Sequence, residues 1–94
     1  MTTPLERVRP LARVAANDAE YVLDLRARSG MREPVVLRGP ALAIWSLVDG
    51  TRTEAQIVDQ LVETLGAERE VVARDTSDFL ATLRGLGLLA AAAA

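Results

Sequence analysis

Ala43-Ile44-Trp45-Ser46-Leu47-Val48-Asp49-Gly50-Thr51-Arg52-Thr53 is the stretch on which the reading of this chain turns. It holds the sole Trp of the sequence and the junction between two helical patterns. The first pattern starts at Gly39-Pro40, because proline at the first helical position needs no N–H partner and has its φ preset. Leu42, Trp45 and either Val48 or Asp49 follow at helical spacing, and Gly50 stands where a left-handed C-terminal cap is expected. The second pattern starts at Thr53. There Thr53-Glu54-Ala55-Gln56 fits a capping box, in which the Thr hydroxyl takes the Gln56 amide and the Gln side chain reaches back. Glu54 sits at the positive end of that helix dipole. The apolar stripe Ile57, Val58, Leu61, Val62, Leu65 stops at Gly66.

A third helix is expected over residues 68–84, with the stripe Val72, Thr76, Phe79, Leu83 and Leu86 turned inward. Gly85 and Gly87 loosen its end and let Leu88-Leu89 fold back onto the core. One residue off the stripe runs a mostly polar line of Val71, Arg74, Asp75, Asp78 and Thr82. By itself this line reads as a solvated helix flank.

Upstream, residues 20–25 alternate with a period of two, which predicts a strand. Tyr21, Leu23 and Leu25 fall on one face, Val22 and Asp24 on the other. Val35-Val36-Leu37 is a second short strand, with Val35 and Leu37 facing one way and Val36 the other. Residues 26–33, with Ser29-Gly30, read as the loop of an antiparallel hairpin. A sheet this small must lie against helices. Residues 1–10 carry Pro4 and Pro10 and read as an extended arm or edge strand. Residues 11–14 continue it as a first strand, and residues 15–18 supply a turn. The alanines at 90–94 read as a frayed end.

The composition narrows the function. Ninety-four residues point to one domain without room for a deep cavity. There is no Cys and no His, so thiolate chemistry is excluded and the commonest metal ligand and general base are missing. The acids never cluster at the spacing of a calcium loop. A non-catalytic protein without cofactor or metal is expected. Net charge is −2, unevenly spread. Residues 1–38 hold seven Arg against five acids, a net +2, and residues 39–94 hold four Arg against eight acids, a net −4. Every basic residue is Arg, which reads as a composition habit. The start lacks a signal-peptide pattern, and no stretch reaches the ~18 apolar residues that span a bilayer. A cytoplasmic protein with no membrane partner is expected.

A hairpin-like start, an apolar strand, a Trp-bearing helix, Asp49-Gly50-Thr51-Arg52-Thr53 and two closing helices form an ordered set. With Ala43 to Val48, Ile57-Val58, Asp75, Phe79-Leu80, Leu83 and Gly87-Leu88-Leu89, this set resembles the PqqD-like family of peptide-binding proteins. These are also called RiPP recognition elements, after ribosomally synthesised and post-translationally modified peptides. The likeness covers about residues 20–89. One departure stands out: many members have Leu-Asn leading into the first helix, whereas Leu37 here is followed by Arg38-Gly39. The Asn cap is missing, and Gly39 caps more weakly.

The resemblance implies an α+β fold. This is a small winged helix–turn–helix with three antiparallel N-terminal strands followed by three helices. Residues 1–19 form the arm with its first strand, 20–89 the domain, and 90–94 an Ala tail. It also implies a function: capture of a precursor's leader segment and its presentation to a maturation enzyme, such as a leader peptidase or a radical-SAM enzyme. The leader adds as a strand beside the third strand, in the groove between that strand and the third helix. By position the strand is Val35, Val36, Leu37 and Arg38, and the helix line is Val71, Arg74, Asp75, Asp78 and Thr82. Val35, Leu37 or Val71 would line a small apolar pocket, and Arg38, Arg74, Asp75 and Asp78 would pair with leader charges. Asp75 has an alternative as a fold residue that hydrogen-bonds locally. Exposed ion pairs are worth only ~0–1 kcal/mol each, so they select partners more than they supply affinity. Pyrroloquinoline quinone, lasso-peptide and other radical-SAM pathways all use such a module. A bare strand edge also allows a homodimer.

Two other functions fit the same elements. A DNA-binding winged helix–turn–helix regulator needs a basic recognition helix. Residues 68–86 hold three Arg against four acids, and residues 54–65 hold three acids and no base, so both helices repel DNA. A small protein–protein adaptor subunit is the other, and nothing in the sequence opposes it.

Overall fold

The computed structural model describes residues 3–26 and 30–91. Along these run β1 (Leu5–Arg7), β2 (Leu11–Ala16), β3 (Ala19–Asp24), β4 (Val35–Arg38), α1 (Gly39–Leu47), β5 (Asp49–Arg52), α2 (Glu54–Leu65), α3 (Arg69–Gly85) and β6 (Leu89–Ala91). The expected α+β order is present, with a three-stranded antiparallel sheet, β2-β3-β4, ahead of three helices. The β2–β3 hairpin turns on Asn17 and Asp18, both at positive φ (52° and 61°). That is the mirror-image two-residue turn that suits strand twist, and Asn and Asp tolerate it best after Gly.

A second sheet, in the order β5-β1-β6, was not anticipated. The residues expected to form an edge arm are its middle strand: Leu5 pairs with Ala91 on one side and Arg52 on the other. Ala90 and Ala91, expected to fray, are part of β6, while 92–94 lie outside the described residues. Asp49-Gly50 also behaves differently from the expected turn. Helix α1 is capped at Val48, whose N–H reaches the Trp45 carbonyl, and Gly50 lies inside β5 at φ +90°. A Cβ at Gly50 would stand 3.1 Å from Glu6 Oε2, the movable end of a side chain, so it is the backbone angle that calls for glycine.

Helix α2 forms as expected. Thr53 Oγ1 accepts from Gln56 N (3.2 Å), Gln56 Oε1 accepts from Thr53 N (2.9 Å), and Gly66 closes the helix in the left-handed region. Ile57, Val58 and Leu61 are buried along it. Helix α1 is apolar on nearly every side, with Ile44 and Trp45 buried and Ala41, Leu42, Ala43 and Leu47 half-buried. It packs on β4 and β3 and against both other helices. Its N-cap position falls on Arg38, not Gly39, with no side-chain cap. Helix α3 buries Val72, Thr76, Leu80 and Leu83, so Leu80 joins the stripe while Phe79 is half-buried and Leu86 exposed. The last inward turn is set by a spacing of four and then three, 76 to 80 to 83, which carries the stripe past Phe79.

In β3 the alternation is as expected, and of its two faces the one turned inward is Glu20, Val22 and Asp24 (9%, 0% and 3% exposed). Tyr21 and Leu23 are half-buried, and Leu25 is exposed beyond the strand's end. The two acids enter because each finds compensation. Asp24 accepts the Arg26 backbone N–H and guanidinium (3.0 and 2.7 Å), and Arg26 continues to the Gly87 carbonyl (2.6 Å). Glu20 meets Trp45 and Arg13, described below.

Two substitutions test this packing. Thr53→Ala removes the cap and should cost about 1 kcal/mol, a fall in melting temperature of about 4–8 °C for a domain of this size. Thr76 is fully buried, and among the described residues its Oγ1 has no hydrogen-bond partner. Thr76→Val should therefore raise stability by about 1 kcal/mol in urea unfolding.

Candidate functional site

Strand β4 is four residues long and edges its sheet, hydrogen-bonded among the described strands to β3 alone. The register pairs Ala19 with Arg38, Glu20 with Leu37, Tyr21 with Val36 and Val22 with Val35. In an antiparallel edge strand, every second residue turns its N–H and C=O outward. The unused side of β4 thus offers donors and acceptors that match any extended chain, whatever its side chains. β4 also runs straight into α1, since Arg38 is both its last residue and the N-cap position of the helix.

The side chains of β4 divide as the alternation implies. Leu37 is 3% exposed and lies in the core with Val72 of α3, while Val35 packs half-buried against that core. Leu37 therefore offers its backbone, and its side chain is scaffold. Val36, 43% exposed, and Arg38 face solvent. On α3, Val71, Arg74, Asp75, Asp78 and Thr82 are all exposed, Val71 at 47%. They fall on one side of the helix, away from Val72, Thr76, Leu80 and Leu83. The inward residues of β4 and of α3 thus meet in one core, and the exposed residues of both elements border it.

Among the described residues, Arg38, Arg74, Asp75 and Asp78 take part in no ion pair. Thr82 Oγ1 donates to the Asp78 carbonyl one turn earlier (3.2 Å), which leaves its oxygen free to accept. Among the described residues no side-chain hydrogen bond holds Asp75. Three charges and one small apolar side chain therefore lie along one helix face without ion-pair partners among the described residues.

Behind this surface is a buried polar node that the sequence reading did not identify. Trp45 is fully buried, as expected of a core residue, and its indole Nε1 donates to Glu20 Oε2 at 2.5 Å. Arg13 donates to both Glu20 oxygens (2.7 and 3.0 Å). Arg7 donates to the Trp45 carbonyl at 2.7 Å. The Arg7 and Arg13 guanidinium carbons lie 5.0 and 5.9 Å from the Trp45 ring centroid, within cation–π range. The Arg13 hydrogen bond, and then that of Trp45, hold the Glu20 carboxyl below the usual range against the opposing effect of burial. Two clues could have found the node: a sole Trp needs a partner for its N–H, and an acid alternating with Val22 needs a cation.

Among the described residues no group of three or more His, Cys, Asp or Glu could hold a metal ion. No helix is long and apolar enough to cross a membrane. A family model described as "Coenzyme PQQ synthesis protein D (PqqD)" matches residues 21–89. Among solved structures the chain is similar to one described as "TbiB1 in Complex with the TbiA(beta) Leader Peptide". The two are 26% identical with a TM-score of 0.77, over 95% of this chain and 99% of that one. A comparison with curated proteins gives no match.

The depressed Glu20 pKa predicts a pH dependence. A carboxylate whose folded pKa lies below its unfolded value contributes stability above the unfolded pKa and loses it as pH falls through the folded one. Glu20→Gln should therefore be less stable than the native chain at neutral pH. In denaturant melts down to about pH 3 the gap should narrow, since the native glutamate loses its advantage on protonation.

Proposed function

Because the chain belongs to the PqqD family, we propose that it captures the leader segment of a ribosomally made precursor peptide by strand addition at β4. One observation carries this reading: a bare β4 edge and an unpaired, exposed α3 face border the same core. The leader complex reported for the similar TbiB1 structure supports it. The leader's backbone bonds to the outward groups of β4. Its side chains meet Val36 and Arg38 on the strand and Val71, Arg74, Asp75, Asp78 and Thr82 on the helix, while Val35 lines the floor. Main-chain pairing supplies sequence-independent affinity, and the mixed charges of α3 choose among leaders.

The chain is a binding protein without chemistry of its own, acting in the cytoplasm. It presents the bound leader to a maturation enzyme, a leader peptidase or a radical-SAM enzyme. The product is a ribosomal peptide, such as a lasso peptide, or pyrroloquinoline quinone. Without leader, the same bare edge allows two copies to pair.

NMR titration of the labelled chain with synthetic leader peptides tests this. Shifts should concentrate at residues 35–38 and 71–82. Val71→Asp, which places a charge where an apolar contact is proposed, should weaken binding about tenfold or more, a loss of ~1.4 kcal/mol. Arg38→Glu should change affinity by roughly fivefold or less, an effect that fades with salt. Shifts produced by duplex DNA and by no leader would overturn the reading.

A further inference from the structure

Away from β4, a cleft of about 430 Å³ opens between β1, the start of β2 and the α1–β5 junction. Its lining includes Glu6, Arg7, Arg9, Arg13 and Asp49. The charges around it pair off almost completely. Arg9 faces Glu6 at 3.7 Å, Arg13 holds Glu20 at 2.7 Å, and Arg52 holds Asp49 at 2.7 Å. Arg7 is left over. Among the described residues it makes no ion pair, and its one hydrogen bond goes to the neutral Trp45 carbonyl. Its Nε is buried with no partner among the described residues. Arg13 approaches the same indole, so two cations share one ring. Burial first, and then the like charge of Arg13, push the Arg7 pKa down, although Glu20 and Asp49 partly offset this. One positive charge in this half-buried place lacks an anion.

We infer that the cleft takes one carboxylate, presented by an Asp or Glu side chain of a protein that docks on the β1–β2 face. A single carboxylate balances the leftover charge, and arginine offers it paired, planar donors. The site is compatible with a bound leader, since β2 and β4 are opposite edges of one sheet. Arg7, Arg9 and Arg13 all precede residue 21, where the family match begins, so the excess charge lies outside that segment. The protein partner rests on the presenting role proposed above: a module that hands over a leader needs a second surface, free when β4 is occupied.

The test is NMR titration of the full labelled chain with the capped peptide Gly-Glu-Leu-Gly and its Gln counterpart. The Glu peptide should give saturable shifts at the Arg7 Nε–H and Trp45 indole N–H, with about tenfold weaker binding by the Gln peptide. Arg9→Glu alters an exposed side chain and sets a tethered carboxylate beside the cleft. It should abolish these shifts and leave leader titration at β4 unchanged. Equal response to the Glu and Gln peptides overturns the proposal. Saturation by acetate or inorganic phosphate at the concentrations the Glu peptide needs marks a small-anion site and overturns the protein partner. An intact Glu response with no leader binding supports the carboxylate site while removing the leader reading.

Discussion

The fold depends on how the chain accommodates one indole. Trp45 brings a large apolar ring and an N–H donor into the core, and a buried donor left unpaired costs about 1–3 kcal/mol. Glu20 answers it, which makes a carboxylate face inward from β3 and in turn calls for Arg13 from β2. Arg7 closes the arrangement from β1 by binding the same residue's carbonyl. Four elements, β1, β2, β3 and α1, are thereby referred to one residue, and the two sheets share a fixed point. Apolar contact tolerates sliding, whereas directional bonds to both ends of a residue do not.

What could be seen from the sequence depended on the range of the interactions. Helix α2 was legible in its cap, its left-handed stop and most of its stripe, because these act within a few positions, although Leu65 at the end of the expected stripe is exposed. The sheet β5-β1-β6 was not. Its strands are three or four residues long, too short for any period, and exist only because Leu5 meets Ala91 and Arg52 from distant parts of the chain. In β3 the period was readable but the face was not. The side turned inward is decided by the bonds of Glu20 to Trp45 and of Arg26 to the Gly87 carbonyl, whose far ends a local window does not contain.

The candidate site shows the same division. Val35, Val36, Leu37 and Arg38 were readable as a strand, and the polar line on α3 as a distinct face. That β4 is an edge, and that Leu37 is spent on the core, emerges only once strand order and packing are known. The family resemblance supplied the link between strand and helix face that periodicity alone could not. It did not supply the arginines ahead of residue 21, which lie beyond the matched segment.

The pairing of β1 with β6 has a consequence for how such a unit can be built into something larger. Leu5 lies opposite Ala91, so both ends of the folded body leave from the same small ladder, side by side. A host chain could enter and leave there through two short linkers without stretching or unravelling the fold. The fold therefore has the geometry of a plug-in cassette, wired through one sheet while the β4 edge belongs to the other.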